Sequence, residues 1–186
     1  MTSKIKVNIL ADGGDNAIIT SDGSGSVTIN NASLKSTPAF AVTTQNVGLT
    51  ADTFIKLTFE TEILDTDNAY DNSTNYRFTV PSGKAGTYLI QVRAATYASN
   101  NLMKGTRPAI YKNGSLFASS YGMYFDSTNS LRHGYAEITV LIPLVAGDYI
   151  EGYVYPANAG TSISSGGGTG VNDYGTMMWG YRLIGA

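Results

Sequence analysis

Ala109-Ile110-Tyr111-Lys112-Asn113-Gly114-Ser115-Leu116-Phe117 reads as two short strands joined by a two-residue turn. Asn and Gly reach positive φ at little cost, so the Asn113-Gly114 pair predicts a tight hairpin. The same theme runs outward in both directions. Towards the N-terminus, Gly86-Thr87-Tyr88-Leu89-Ile90-Gln91-Val92-Arg93-Ala94 predicts a long strand. Tyr76-Arg77-Phe78-Thr79-Val80 predicts another, closed by Pro81-Ser82-Gly83, and so does Phe54-Ile55-Lys56-Leu57-Thr58-Phe59. Ala39-Phe40-Ala41-Val42 and Gly48-Leu49-Thr50 carry the β pattern back to Pro38. Towards the C-terminus, Tyr135 to Ile142 is a strand and Gly147-Asp148 a turn. Asp148 to Tyr155 alternates again, and Met177 to Ile184 ends the pattern. No segment keeps a helical period for three turns. Strands with turn signals between them predict an all-β, antiparallel sandwich or jelly roll.

Composition agrees. Charged residues are 14% of the 186 residues, against a usual ~25%. Gly, Thr, Ser, Asn and Tyr stand in their place, which suits strands and turns rather than helices. The net charge is −2, so no basic footprint points to nucleic acid or an anionic membrane. The chain has no cysteine, which excludes disulfides, thiolate metal sites and cysteine nucleophiles. Met1 to Val7 lacks the apolar run of a signal peptide. The apolar stretch Ile138 to Ala146 is broken by Thr139 and Pro143 and falls far short of the ~20 residues that span a bilayer. Neither targeting nor membrane insertion is expected.

The first thirty residues differ from the rest. Ser3 to Leu10 alternates, with Ile5, Val7 and Ile9 on one side, which predicts a strand with a buried face. Ala11 to Asp15 is a turn, Asn16 to Thr20 a strand carrying Ile18, and Ser21 to Gly25 another turn. Ser26 to Asn30 is a third strand, carrying Val27 and Ile29. Three such strands cannot build an independent core. Residues 1–31 therefore read as an attachment segment, with Ile5, Val7, Ile9, Ile18, Val27 and Ile29 as its contact residues. The other reading is an N-terminal meander of the main domain. Residues 32–37 are a linker, and 38–186 the principal domain.

These strands carry a pattern that resembles the C1q/tumour-necrosis-factor-like jelly roll, in the variant found in bacteriophage structural proteins. Phe54 to Phe59 is similar to that family's aromatic-x-Lys-apolar-x-Phe strand. Tyr70-Asp71, Tyr76 to Pro81 and Gly86-Thr87-Tyr88 are similar to its "YD … FT.P … G.Y" core. Ala109 to Gly114 resembles its "LYKNG" hairpin, Ala146 to Ile150 its "GD.V" turn, and Trp179 to Leu183 its terminal "F.G..L" strand. The resemblance covers about residues 38–186. The spacing between Pro81 and Gly86 is longer than usual, and the Thr161–Asn172 loop is Gly-rich and unlike animal members. Partner-binding residues of those members are therefore not carried over. The resemblance implies a homotrimer. The opening Ser3-Lys4-Ile5-Lys6-Val7 also looks like the start of phage tail-fibre and virion surface proteins.

Little in the chain carries acid–base chemistry. His133 is the only histidine, so one chain offers a His-based triad or a metal site no more than a single histidine. Asp65, Asp67 and Asp71 crowd one loop and are weak candidates for a calcium site, but the glycine and distal glutamate of an EF-hand are absent. A solvated loop is the default there. Ser164 to Gly170 is Gly-rich, yet neither a helix nor a lysine follows to cradle a phosphate. The only glutamates are Glu60, Glu62, Glu137 and Glu151, and no pair suggests a glycosidase. No cofactor is called for. Tyrosines on strands fill the sandwich or line an interface between copies. Tyr121, Tyr124 and Tyr174, in or beside loops, are the better ligand-binding candidates. The loops 100–107, 122–130 and 161–172 are the expected binding surface.

The sequence thus predicts a non-enzymatic, homotrimeric phage virion protein on the exterior of the particle. Its N-terminal segment docks on other phage structural proteins, tail or capsid. Its jelly-roll head binds a host surface glycan, as a tail fibre or adhesin does. A capsid decoration protein and a secreted carbohydrate-binding lectin are the alternatives.

Overall fold

The computed structural model describes residues 7–29, 37–44, 48–99, 101–122, 131–158, 163–165 and 175–183, with 158 and 163–165 described by backbone alone. The chain divides into two compact units, 1–37 and 38–186. The described residues are all β or irregular, and no helix among them is long and apolar enough to cross a membrane.

In the first unit β1 (Ile9–Ala11), β2 (Ala17–Ser21) and β3 (Val27–Ile29) form an antiparallel meander. Both turns are built the same way. Asp12 Oδ1 accepts from the backbone N–H of Gly14 (2.9 Å) and Asn16 (3.0 Å). Asp22 Oδ1 accepts from those of Ser24 (2.8 Å) and Ser26 (3.2 Å). Aspartate favours such turns because its side chain reaches its own backbone two residues on. The Gly14 bond foremost holds the Asp12 carboxyl below the usual range, and the Ser24 side chain, followed by its backbone N–H, does the same for Asp22. Of the expected strand from Ser3, residues 3–6 lie outside the described residues; β1 starts at Ile9, and the Asn8 carbonyl accepts from Ser21 N at 2.7 Å. Val7, Ile9, Leu10, Ile18, Val27 and Ile29 of the expected contact face are all exposed. The period-2 pattern is real, but three strands offer nothing to bury it against.

The second unit is a two-sheet sandwich. Its first sheet is centred on β10 (Gly86–Ala98). Along one side β10 pairs throughout with β13 (His133–Leu144). Along the other it pairs with β16 (Thr176–Arg182) and then β15 (Ile163–Ser165). β16 pairs with β4 (Ala39–Thr44), which pairs with β7 (Thr61–Asp65), while β15 pairs with β5 (Gly48–Leu49). The second sheet runs β12 (Ser115–Ser119), β11 (Met103–Lys112), β14 (Tyr149–Asn158), β9 (Arg77–Thr79) and β8 (Tyr70–Asp71). β6 (Ile55–Lys56) adds to β14 beyond β9. Every pairing is antiparallel.

Strict alternation makes the core. In β10, Tyr88, Ile90, Val92 and Ala94 point inwards and are buried, while Leu89, Gln91, Arg93 and Ala95 lie on the other face. Phe40, Val42, Met178 and Ile142 join them from the same sheet, facing Phe78, Ile110, Ile150 and Val154 of the other. The Phe40 and Phe78 rings stack across the gap at 4.5 Å. Burial pushes the Tyr88 hydroxyl up to about 12, and its proton bonds to the Lys84 carbonyl.

Two expectations need correction. Phe54 to Phe59 pairs only at Ile55–Lys56. Leu57 still donates to Gly152 O, but Leu57 and Phe59 then enter the core and the chain leaves the sheet. Of the expected loop 100–107, Met103 to Arg107 belong to β11, while Asn101 and Leu102 are irregular and Asn100 lies outside the described residues.

The Asn113-Gly114 hairpin forms as expected, with φ of 51° and 77°. Gly114→Val forces a β-branched side chain into that region and is expected to cost about 1–3 kcal/mol, read as a lower unfolding midpoint. Asp148 ties the same hairpin to the next turn. Its Oδ1 accepts from Asn113 Nδ2 (2.8 Å), and its Oδ2 accepts from Val145 N (3.0 Å) and pairs with Lys112 Nζ (2.8 Å). Lys112, then Asn113 and Val145, hold this carboxyl down to about 2. A depressed folded value means that the contribution is present above the unfolded value, about 3.9, and is lost as pH falls through about 2. Asp148→Asn is expected to be less stable than wild type at pH 7 by about 1–2 kcal/mol. The two melting curves are expected to converge as pH falls towards 2.

Candidate functional site

The outward faces of the two sheets differ in chemistry. On the first sheet the register aligns side chains across four strands. Ala39, Tyr181, Leu89 and Leu141 form one row, and Ala41, Trp179, Gln91 and Thr139 the next. Trp179 Nε1 donates to Gln91 Oε1, and Gln91 Nε2 donates to Thr139 Oγ1. The Trp179 and Tyr181 rings lie parallel within 6°. Leu141 is 59% exposed and Tyr135 55%. The face is largely apolar; Trp179, Gln91 and Thr139 bond to one another along the sheet, and Arg93, opposite Glu137 in the register, lies with its guanidinium carbon 6.0 Å from the Tyr135 ring centre.

The outward face of the second sheet carries aromatic rings and cations. Alternation in β14 sets Tyr149, Glu151, Tyr153 and Tyr155 on one side, and β11 places Arg107 and Tyr111 beside them. Tyr111 stacks on Tyr153 at 3.8 Å, and Phe54 meets both Tyr155 (5.3 Å) and Tyr111 (6.1 Å) edge-on. Glu151 is on this face but buried, capped by Lys56, whose Nζ bonds to Glu151 Oε1 and to the Asn75 carbonyl at 2.5 Å each. Burial, helped by the Asp71 and Glu151 charges, keeps the Tyr70 hydroxyl protonated well above the usual range.

At one end of this face, Asp52, Arg107, Tyr121, Tyr155 and Ala157 line a cleft of about 350 Å³. The register explains the meeting, because Arg107 is the cross-strand partner of Tyr155. Asp52 is held at φ 55° in a turn whose N–H donates to the Pro156 carbonyl. Arg107 is fixed from several sides. Its Nε (3.0 Å) and Nη2 (2.6 Å) donate to Ser119 Oγ, and its Nη1 donates to the Tyr121 hydroxyl at 2.8 Å. Its guanidinium carbon lies 4.3 Å from the Tyr121 ring centre and 5.2 Å from that of Phe54. Among the described residues no carboxylate forms an ion pair with it.

Of the residues expected to bind ligand, Tyr121 stands in this cleft, 67% exposed. Tyr124 and Tyr174 lie outside the described residues, as does Ile5 of the expected attachment set. The loops 122–130 and 161–172 also fall outside them, apart from Gly122 and the backbone of 163–165. Arg107 and Asp52 were not among the expected site residues. Among the strand tyrosines, Tyr97, Tyr111, Tyr135, Tyr153 and Tyr155 face outwards, and it is Tyr70 and Tyr88 that fill the sandwich.

The acidic loop folds around its own backbone. Asp65 accepts from Tyr70 N and Asp67 N. Asp67 accepts from Thr66 Oγ1 and lies 3.9 Å from Lys84 Nζ. Asp71 accepts from Thr74 N, Ser73 N and Asn75 Nδ2, which hold its carboxyl well below the usual range. Among the described residues no three carboxylates or imidazoles gather as a metal site. His133 is exposed, with its ring 5.1 Å from that of Tyr97.

No family model matches the sequence, and no curated protein matches it. Solved structures do. The globular domain of zebrafish complement 1qA protein aligns at TM-score 0.52 and 14% identity, over 79% of this chain and 98% of that one. Eiger TNF from S. frugiperda aligns at 0.55 and 13%, over 81% and 93%. Murine APRIL aligns at 0.54 and 11%, over 80% and 100%. At such identities the likeness is one of fold: the second unit is an antiparallel jelly roll of the C1q/TNF type.

Proposed function

We propose that the chain is a non-enzymatic, homotrimeric surface protein of a bacteriophage particle, whose head binds a glycan on the host surface. The observation that carries this reading is the unlike chemistry of the two outward faces of one sandwich. The first is apolar and self-bonded, suited to burial against other copies of the chain. The second offers rings, a fixed cation and a cleft, suited to a small polar ligand. A trimer presents three such clefts together, so weak single contacts gain avidity on a repetitive surface.

The assignment to a phage particle is supported by the sequence resemblance, and the docking role of the first unit by its uncovered apolar strands. Residues such as Ile9, Ile18 and Val27 are better covered in an assembly than left in water. Purified particles probed with a gold-labelled antibody to this chain test the reading. Label on the tail is the expected result. Label over the shell would instead make the protein a capsid decoration, and particles without label would leave a secreted lectin. Binding of the full-length chain to host cells checks the receptor role separately.

A further inference from the structure

The cleft beside Arg107 has features that narrow its ligand. A guanidinium carries more N–H bonds than Ser119 and Tyr121 accept here, and its charge is not neutralised by any described carboxylate. The side chain is fixed before any ligand arrives, so little rotamer entropy remains to be lost. With the Nε–Nη2 edge given to Ser119, the N–H bonds left over on Nη1 and Nη2 are the ones a carboxylate can accept.

Asp52 lines the same cleft. Its negative charge disfavours a multiply charged anion such as a phosphate, but its oxygens are good acceptors for hydroxyl groups. The rings of Tyr121 and Tyr155 give an apolar surface on which the C–H face of a pyranose can lie. The volume of about 350 Å³ is at the small end of ligand sites, about 300–1,000 Å³.

We propose that this cleft is a subsite for an acidic sugar, with Arg107 holding the carboxylate, Asp52 accepting ring hydroxyls, and Tyr121 and Tyr155 stacking on the ring. The proposal deepens the glycan-binding reading above and rests on it for biological meaning, though not for its chemistry.

Glucuronic acid, glucose and inorganic phosphate, titrated separately into the full-length protein by ligand-observed NMR, test it. Glucuronic acid is expected to bind, with glucose and phosphate weaker by about tenfold or more. Arg107→Gln is expected to weaken glucuronic acid binding by about 30-fold, and Arg107→Lys, which keeps the charge but loses the fork, by about tenfold. Should Arg107→Gln fold poorly, Tyr121→Phe keeps the ring and removes one tether. Its expected loss is about threefold for glucuronic acid, with none for glucose.

Phosphate binding as tightly as glucuronic acid would overturn the proposal in favour of a general anion site. Glucuronic acid binding indifferent to Arg107 and Tyr121 would overturn it as well. Intact host cells separate the two readings. Protein that binds cells but not glucuronic acid sinks this subsite and leaves the adhesin. Protein that binds glucuronic acid through Arg107 but no cells supports the subsite and removes the adhesin.

Discussion

Lys56→Met is expected to destabilise the head by about 3–5 kcal/mol, the range seen when one partner of a buried ion pair is removed. Glu151 is the reason. Its side chain is only 8% exposed, and Lys56 Nζ supplies its one ion pair among the described residues. The same ammonium also holds the Asn75 carbonyl. The lysine therefore joins β6, β14 and the turn before β9, and a methionine of similar length fills the space but bonds to none of them. What remains is a carboxylate out of water with no counter-charge, and a buried charge of that kind costs far more than the lost attraction.

The double variant identifies the mechanism. Lys56→Met with Glu151→Leu removes both charges and is expected to recover most of the loss, since apolar replacement of a whole buried pair is often neutral or better. Urea unfolding of the three proteins at equal chain concentration measures this. A single variant within about 1 kcal/mol of wild type, inside the range of surface pairs, would show that Glu151 is well solvated.

Much of the fold was legible in the sequence because its signals were local. The Asn113-Gly114 turn requires two positive φ angles in succession, and few other pairs supply them. The long strands β10, β13 and β14 have neighbours on both sides or a full-length partner, so their alternation translates directly into a buried and an outward face. Local signals failed where a strand's partner decided its fate. Phe54 to Phe59 has strand composition throughout, but Leu57 and Phe59 are drawn into the core and pull the chain off β14. β7 was hidden for the opposite reason: Ile63 and Leu64 are both exposed on an edge strand, so no alternation marks it.

The cleft was half legible. Tyr121 could be singled out as an aromatic beside a loop. Arg107 could not, because the preceding glycine and following proline, Gly105 and Pro108, make the segment look irregular. Pro108 is tolerated in β11 because the bond recorded there uses its carbonyl, which accepts from Ser120 N. Arg107 acquires meaning only from the β11–β14 register, which sets it beside Tyr155, and from Tyr121 folding back across it. Asp52 comes from a turn far away in sequence. Residue type pointed to the tyrosine, while pairing between distant strands made the site.

Leu141→Glu is expected to convert the proposed trimer of 19.7 kDa chains into monomers at micromolar concentration without unfolding them. Leu141 is the outer end of the Tyr181–Leu89–Leu141 row, on an edge strand whose opposite face packs Ile142 and Leu144 into the core. The substitution therefore leaves the core untouched. In a closed three-fold assembly the change occurs at every interface at once. Each copy gives up about 2 kcal/mol of leucine burial and must also desolvate a carboxylate, beside which Gln91 and Thr139 are already bonded to each other and Arg93 is engaged with Tyr135. Leu116→Glu is the matched control: Leu116 is similarly exposed, but it lies on β12 of the opposite sheet. Sedimentation velocity is expected to give a trimer for wild type and Leu116→Glu, and a monomer for Leu141→Glu with an unchanged β-rich circular dichroism spectrum. Association that survives Leu141→Glu but fails with Leu116→Glu would move the interface to the other sheet and cover the Arg107 face. A wild-type chain that sediments as a monomer would remove the trimer, and with it the avidity on which a weak single cleft depends.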